Sequence, residues 1–147
     1  MIFVKIKEIM SRSVVSVNEN DTADTVAKIM KKHDIGCVPI VNDDNKLMGI
    51  ITDRDMVLRL TAAGKNPIFT KISDIMTRDI ATTAPEAEVA HVTEEMGICK
   101  VRRIPVVENG KLVGMASLGD VAVTGCFQAE LSSALCDISD GCKKSRK

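Results

Sequence analysis

The chain of 147 residues contains no tryptophan, no tyrosine and only three phenylalanines. Proteins that bind single-stranded nucleic acid without sequence preference stack the bases on aromatic side chains, and this chain has no such platform. Acidic and basic residues number 20 each, so no net charge attracts the chain to nucleic acid or to an anionic membrane. Both absences argue against a nucleic-acid partner. Only residues 143–147, KKSRK, are locally basic, and either a solvated terminus or an anion-binding arm fits them.

Long hydrophobic runs are also missing. No apolar run approaches the roughly 20 residues that span a bilayer. The first ten residues, MIFVKIKEIM, carry charges where a signal peptide needs an uninterrupted apolar core. The five cysteines are an odd number without CxxC spacing, which favours reduced thiols over a disulfide framework or a metal site. We therefore expect a cytoplasmic protein with no membrane partner and no bound metal.

What the sequence does contain is one unit written twice. VKIKEIMSRSVVSV aligns with TKISDIMTRDIATT at a shift of 66 residues, and the same shift carries Pro39 to Pro105. One residue is lost in the following turn, after which GIITDRD aligns with GMASLGD. The copies occupy residues 4–64 and 68–124. Because a unit of this size buries its core poorly alone, we expect the two copies to pack on each other.

Each copy has the predicted order strand, helix, strand, strand, helix, so the fold class is α+β. Residues 13–17 and 79–83 are rich in β-branched residues and predict the first strands. A helix capped by Asp21 or Thr22 follows, and CVPIV and LMGIIT predict two buried strands. The last helix of the first copy is predicted from Asp53 to Gly64. In the second copy Asn109-Gly110 indicates a tight hairpin.

Two further features concern the strands and the end of the chain. Proline cannot donate to a ladder, so Pro39 and Pro105 are predicted at a sheet edge or a bulge. The remaining residues, 125–147, are predicted to form a helix followed by the basic tail. Its apolar positions recur at helical spacing: Phe127, Leu131, Leu135 and Ile138.

The hydroxyl and carboxylate of GIITDRD and GMASLGD recur in both copies as Thr52-x-x-Asp55 and Ser117-x-x-Asp120. One interpretation is a helix start, because a hydroxyl cap with an acidic residue three positions later forms a capping box. The other is a ligand site, because the same geometry joins a hydroxyl, a carboxylate and free N–H groups at a positive helix end. The carboxylate suits a ribose diol and the helix start suits phosphate. The spacing alone leaves both interpretations open.

The duplicated pattern MSRSVVSV…VPIV…LMGIITDRD and MTRDIATT…IPVV…LVGMASLGD resembles a tandem pair of CBS domains, a Bateman module. The resemblance covers nearly all of residues 4–123. It implies a pseudo-twofold arrangement in which adenine nucleotides bind in the cleft between the repeats. Thr52 and Asp55 would contact the ribose in one site, and Ser117 and Asp120 in the other.

The resemblance also implies that each site borrows residues from the opposite repeat, chiefly through backbone groups that read an adenine edge. The Thr52 site would be completed by residues of the second copy: Asp79, Ile80, Ala81, Val101, Arg102, Arg103, Ile104 and Pro105. The Ser117 site would be completed by residues of the first copy: Ser13, Val14, Val15, Ile35, Gly36, Cys37, Val38 and Pro39.

Charge distinguishes the two copies. Lys100, Arg102 and Arg103 have no basic counterparts in the first copy, and Arg54 aligns with Gly119. A guanidinium holds two phosphate oxygens at once, so the Thr52 site, with Arg54, is predicted to be the better phosphate binder. Solvated charges at a helix-to-strand junction remain the alternative.

These features predict a regulatory ligand-binding module. The candidate ligands are AMP, ADP, ATP and S-adenosylmethionine, with no obligatory cofactor, and the expected partners are a second copy of the chain and an unidentified regulated protein. Neither a nucleophile–base pair nor a metal cluster is evident in the sequence, so we predict no enzymatic activity. The alternative is a ligand-free interaction or stress-response protein in which both motifs only cap helices.

Overall fold

The computed structural model describes residues 2–145, with side chains described for residues 2–140. The predicted basic tail, residues 143–147, lies outside the described side chains. Short 3-10 turns at Ile6–Glu8 and Ile72–Asp74 open the two copies, and a π-helix, Met56–Thr61, continues the second helix. The helices are α1 (Ala23–His33), α2 (Asp53–Asp55), α3 (Val89–Ile98), α4 (Leu118–Thr124) and α5 (Gln128–Ser145). The strands are β1 (Val17–Asn18), β2 (Cys37–Val41), β3 (Leu47–Thr52), β4 (Arg103–Glu108) and β5 (Lys111–Ser117).

This mixture of helices and small sheets confirms the predicted α+β class. The chain forms two compact units, and neither is made of one sequence copy alone. The first unit contains residues 15–80 and 110–112, and the second contains the described residues of 1–14, 81–109 and 113–147. Each unit therefore combines the body of one copy with the leading segment of the other. We define the leading segments as residues 5–14 and 71–80.

The first unit has a three-stranded sheet with β2 in the middle. β1 pairs with β2 in parallel, and β3 pairs with β2 in the antiparallel direction. Helix α1 begins after Thr22, whose hydroxyl accepts the N–H of Thr25, and ends at Asp34 in the left-handed conformation. The leading segment 71–80 contributes Ile72, Ile75 and Met76 to the core of this unit. The other core residues come from the first copy: Val17, Ala23, Val26, Met30, Val38, Ile40, Ile51, Met56 and Leu60.

The second unit repeats this plan with β4 and β5. Thr83 forms a parallel bridge with Val106, which corresponds to the pair of Val17 and Ile40 after the shift of 66 residues. The equivalence of these two pairs confirms the alignment of the copies. The core again includes residues from both copies: Ile6, Met10, Val89, Val92, Met96, Ile104, Val106, Ala116, Leu118, Val121, Phe127, Ala134 and Ile138.

Helix α5 packs on α3 and α4 within the second unit. Its buried face contains Phe127, Ala134 and Ile138, whereas Leu135 is 39% exposed. The prediction of Leu135 on this face was wrong, since the neighbouring Ala134 is the residue that lies against α3. A Cβ added at Gly97 of α3 would lie 2.8 Å from the Cα of Ala134. None of the helices in the described range combines the length and the hydropathy needed to cross a membrane.

The predicted first strands are shorter than expected. Only β1 and the isolated bridge at Thr83 form within residues 13–17 and 79–83. Here the chain passes from one unit to the other, at residues 14–15 and 80–81. β-Branched residues favour extended backbone, but extended backbone becomes a strand only where a partner pairs with it.

Pro39 does not occupy the predicted sheet edge or bulge, whereas Pro105 lies in β4 of a two-stranded sheet, in which each strand is an edge. Pro39 lies in the middle strand β2 opposite Ile50, and the irregularity of the ladder falls between Ile40 and Val41. The N–H and carbonyl of Ile50 bond instead to Thr77, each at 2.9 Å. Pro39 therefore faces a position that requires no N–H donor. Pro105 lies in β4, where its carbonyl accepts the N–H of Thr83.

The predicted turns are confirmed. Asn109 and Gly110 both have positive φ, 54° and 79°, as the tight hairpin requires. Gly64 also has positive φ after the π-helix, where the sequence predicted the end of this helix.

The glycine that opens each repeated motif lies under the leading segment of the other copy. A Cβ added at Gly49 would lie 2.6 Å from the carbonyl oxygen of Thr77, and one at Gly114 would lie 3.0 Å from that of Ser11. The Sδ atoms of Met76 and Met10 lie against the same two positions. Both glycines are needed because another main chain passes at their Cα atoms.

We expect Gly49→Ala to destabilise the protein by about 1–3 kcal/mol, because the backbone of Thr77 cannot move aside as a flexible side chain would. Gly119→Ala is the matched control, since its Cβ would meet only Ser117 Oγ at 3.5 Å. The control should be neutral or up to about 1 kcal/mol more stable, because alanine favours helix. Denaturant unfolding measures both, and equal stability of the two variants would contradict this packing.

The leading segment of the first copy also carries an exposed charge cluster. Glu86 accepts hydrogen bonds from Lys5 Nζ at 2.5 Å and Lys7 Nζ at 2.6 Å. The bond from Lys5, with that from Lys7, lowers the pKa of Glu86 to about 2, and the same contact raises the pKa of Lys5. A carboxyl whose pKa falls on folding stabilises the protein above its unfolded pKa and loses that effect as the pH approaches its folded pKa.

We therefore expect Glu86→Gln to be less stable than the parent at pH 7, with the difference shrinking as the pH falls from about 4.5 towards 2. Urea unfolding across this range measures the difference, which should also decrease with added salt because the cluster is exposed. Glu88→Gln removes an exposed carboxylate two residues away and is the control. A difference independent of pH would refute the role of this cluster.

Candidate functional site

Both repeated motifs form complete capping boxes at the ends of strands. Thr52 Oγ1 accepts the N–H of Asp55 at 3.1 Å, and Asp55 Oδ2 accepts the N–H of Thr52 at 3.1 Å. Ser117 Oγ accepts the N–H of Asp120 at 3.1 Å, and Asp120 Oδ2 accepts the N–H of Ser117 at 2.9 Å. The helix-start interpretation of the motifs is therefore confirmed.

The capping boxes engage only one oxygen of each carboxylate. Oδ2 is used in both motifs, so Oδ1 is available as a second acceptor. The side chain of Asp55 is 17% exposed, and its Oδ1 lies 3.8 Å from Arg59 Nη2. A carboxylate that is oriented by its own backbone and keeps an acceptor at the surface suits a ligand hydroxyl.

The first N–H of each motif helix is already bonded. Asp53 N–H donates to the carbonyl of Gly36 at 2.9 Å, and Leu118 N–H donates to that of Arg102 at 3.0 Å. These equivalent bonds hold each helix start against the residue that precedes β2 or β4. In the first copy the N–H of Arg54 also donates to Asp53 Oδ1, at 2.8 Å. The residue aligned with Arg54 in the second copy is Gly119.

The two residues joined by this backbone bond differ in charge between the copies. A Cβ added at Gly36 would lie 2.8 Å from Asp53 Oδ2, so the carboxylate of Asp53 covers the Cα of Gly36. The aligned residues in the second copy are Arg102 and Leu118, of which Leu118 is 6% exposed. The first copy thus presents a carboxylate where the second presents a guanidinium and an apolar side chain.

The predicted site residues are divided between the two units. Asp79 and Ile80 share the first unit with Thr52 and Asp55, although they belong to the second copy. They follow Thr77, which is bonded to Ile50 of β3. The first unit also contains Val15, Gly36, Cys37, Val38, Pro39 and Arg54.

The second unit repeats this arrangement. Ser13 and Val14 share it with Ser117 and Asp120, and they follow Ser11, which is bonded in both directions to Met115 of β5. The second unit also contains Ala81, Arg102, Arg103, Ile104 and Pro105. It stays a prediction that these last five residues contribute to the Thr52 site. It likewise stays a prediction that Val15 and residues 36–39 contribute to the Ser117 site.

Burial limits what some of these residues offer to a ligand. Val38 and Ile104 are fully buried in the two cores, main chain included, so their side chains are core residues. Cys37 is half-buried and pairs with Thr52 across β2 and β3. Arg54, Arg102 and Arg103 are exposed, as a role in binding phosphate requires.

Sequence reasoning missed Arg59, which joins the first motif to a leading segment. Arg59 Nη1 donates to the carbonyl of Ile75 and to Thr77 Oγ1, both at 3.0 Å, and Nη2 lies near Asp55. A basic residue four positions after an acidic one on a helix was the available signal. Its other two contacts depend on the tertiary fold.

The profile of the CBS domain family matches residues 6–62 and 72–123, which include both motifs and both capping boxes. The chain belongs to the CBS domain family. It is 34% identical over 134 residues to the CBS domain-containing protein YhcV of Bacillus subtilis (strain 168), covering 91% of this chain and 94% of YhcV. It is also 34% identical over 116 residues to hypoxic response protein 1 of Mycobacterium tuberculosis, covering 79% and 81%.

Solved structures agree with this assignment. The CBS domain pair of protein MJ0100 in complex with 5-methylthioadenosine and S-adenosyl-L-methionine has a TM-score of 0.73 and 31% identity, covering 84% of this chain and 96% of that chain. Hypoxic response protein I with two coordinated zinc ions has a TM-score of 0.76 and 33% identity, covering 82% and 98%. In the described part of the present chain, no three histidine, cysteine or acidic residues are grouped to hold a metal ion.

Proposed function

We propose that this CBS domain pair is a regulatory module that binds adenosyl ligands through the Thr52–Asp55 and Ser117–Asp120 motifs. The observation that supports this most strongly is that each capping box leaves Oδ1 of a partly buried motif carboxylate unbonded by the cap, beside a hydroxyl that the cap holds in place. Ribose hydroxyls are donors that match such an acceptor. A charge-assisted hydrogen bond of this kind contributes about 1.5–3 kcal/mol.

The relative MJ0100 supports the adenosyl part of the proposal. Its CBS pair was solved with 5-methylthioadenosine and S-adenosyl-L-methionine, which share a ribose and an adenine. We extend the candidates to AMP, ADP and ATP because Arg54, Arg102 and Arg103 supply exposed guanidinium groups. No obligatory cofactor is proposed.

The leading segments support completion of each motif by the opposite copy. Asp79 and Ile80 continue from the residues bonded to β3, and Ser13 and Val14 continue from the residues bonded to β5. The main chain of these residues would offer N–H and carbonyl groups to an adenine edge. We propose that these four residues line the adenosyl sites.

We propose that the module acts on another protein and carries out no reaction itself. A ligand would regulate only through a different affinity for two conformational or oligomeric states. A homodimer is the assembly we propose, as sequence reasoning predicts. The regulated protein would recognise one state of that dimer.

Titration calorimetry with AMP, ADP, ATP, S-adenosylmethionine and 5-methylthioadenosine tests this function. Asp55→Asn and Asp120→Asn should each weaken one class of sites by about 10- to 100-fold, since each removes the charge that a ribose hydroxyl would meet. Both substitutions preserve an oxygen for the capping box, so folding should persist. Asp74→Asn is the control, because Asp74 lies in a leading segment outside both motifs.

The double variant Asp55→Asn with Asp120→Asn should bind none of the five compounds measurably. If the parent protein binds none of the five compounds, the proposal is refuted. It would favour the alternative of a ligand-free interaction protein, which the complete capping boxes also permit.

The charge difference between the copies generates a second prediction. Arg54→Ala and Arg102→Ala should weaken AMP and ATP binding while leaving 5-methylthioadenosine, which has no phosphate, nearly unchanged. Asp53→Asn should have the opposite effect on the nucleotides, because Asp53 adds a negative charge beside Arg54. The same calorimetry measures all three variants. Unchanged nucleotide affinity in both arginine variants would contradict the predicted phosphate preference of the Thr52 site.

A further inference from the structure

Arg59 bridges two parts of the first unit that are distant in sequence. Its Nη1 donates to Ile75 O and Thr77 Oγ1, each at 3.0 Å. Its Nη2 lies 3.8 Å from Asp55 Oδ1, the carboxylate oxygen that the capping box leaves available. One guanidinium therefore contacts both the motif and a leading segment.

Arg59 contacts the leading segment 71–80 where that segment pairs with β3. Thr77 exchanges two backbone hydrogen bonds of 2.9 Å with Ile50, and its carbonyl lies over Gly49. The chain continues directly to Asp79 and Ile80. A side chain that holds residues 75–77 also restrains the residues that follow them.

The helix that carries Arg59 has an unusual register. Residues Met56–Thr61 form a π-helix, at whose end the Ala62 N–H donates to the carbonyl of Val57, five residues earlier. π-Helical turns are rare in proteins and occur frequently at functional sites. Arg59 lies on this turn, four residues after Asp55, and its guanidinium contacts the leading segment.

The second copy lacks this connection. Its motif helix α4 is an ordinary α-helix, and the residue aligned with Arg59 is Thr124. The hydroxyl of Thr124 donates to the carbonyl of Val121 within the same helix, at 2.7 Å. The two copies therefore differ in a contact that reaches beyond the helix in the first copy alone.

We propose that Arg59 is a positioning residue of the Thr52 site, which links occupancy of Asp55 to the order of residues 75–80. This inference rests on the proposed adenosyl binding at Thr52 and Asp55. A guanidinium presents its donors in a rigid fork, so it holds several acceptors in one geometry. A ligand hydroxyl that bonds to Asp55 Oδ1 meets a carboxylate already placed beside Arg59, with the leading segment held in register.

The test uses the Asp120→Asn background, so that binding reports on the Thr52 site. Arg59→Ala should weaken binding of 5-methylthioadenosine by about tenfold, the scale of a typical coupling between sites. Arg59→Lys should restore only part of this loss, because an ammonium lacks the fork. The matched control is Arg78→Ala, since Arg78 Nη2 donates to Ser73 O at 3.1 Å on the same segment outside the motif.

Hydrogen exchange supplies the readout that a merely structural role would not move. Ligand should slow amide exchange across residues 75–80 in the parent, and this added protection should be lost in Arg59→Ala and kept in Arg78→Ala. Thr77→Val removes one acceptor of Arg59 with little change in shape and should weaken binding less than Arg59→Ala does. If Arg59→Ala fails to fold, Arg59→Lys and Thr77→Val decide the question by the same two measurements.

The outcomes separate this inference from the proposed function. Binding by the parent that Asp55→Asn weakens, together with unchanged affinity and unchanged protection in the Arg59 and Thr77 variants, would overturn the role of Arg59 alone. Absence of binding in the parent, or indifference of that binding to Asp55→Asn, would overturn the proposed function and the positioning role with it.

Discussion

The main chain of each leading segment passes directly over a glycine of the opposite copy, and the two units are built around this close approach. A Cβ at Gly49 would lie 2.6 Å from the Thr77 carbonyl oxygen, and one at Gly114 would lie 3.0 Å from that of Ser11. The crossing adds a short antiparallel pair beside β3 and β5. It also brings the apolar residues of each leading segment into the core of the other copy's body.

The exchange of leading segments explains why two similar copies are needed. A single copy would keep its body but lose the segment that covers its motif glycine. In each unit the segment also ends beside the motif, where Asp79 or Ser13 follows the paired residue. The packing of each unit and the proposed adenosyl site therefore involve the same backbone contacts.

The capping boxes connect stability with chemistry at the two motifs. Each box satisfies N–H groups at the start of a helix, a role that needs no ligand. The same bonds orient a carboxylate and leave one of its oxygens available. Beyond this shared frame the copies diverge in charge, since Asp53 and Gly36 of the first copy align with Leu118 and Arg102 of the second. Arg59 of the first copy bonds to the carbonyl of Ile75, and in the second copy α5 packs on α3.

Much of this organisation could be read from the amino-acid order. The two copies follow from the repeat in the sequence, and the CBS family from the resemblance of the repeated motifs. The helices and the hairpin at Asn109 follow from local patterns, because caps, turns and apolar periodicity act between near neighbours. The motif carboxylates were likewise evident from spacing, since a capping box joins residues three positions apart. Contacts between distant residues required the tertiary structure. The loss of strand at residues 13–16, the place of Pro39 in a middle strand and the bridge from Arg59 to Thr77 depend on which segments meet. Local propensity carries no information about which segments come into contact. A backbone N–H or carbonyl group can form its hydrogen bond equally well with any partner that the fold brings to it.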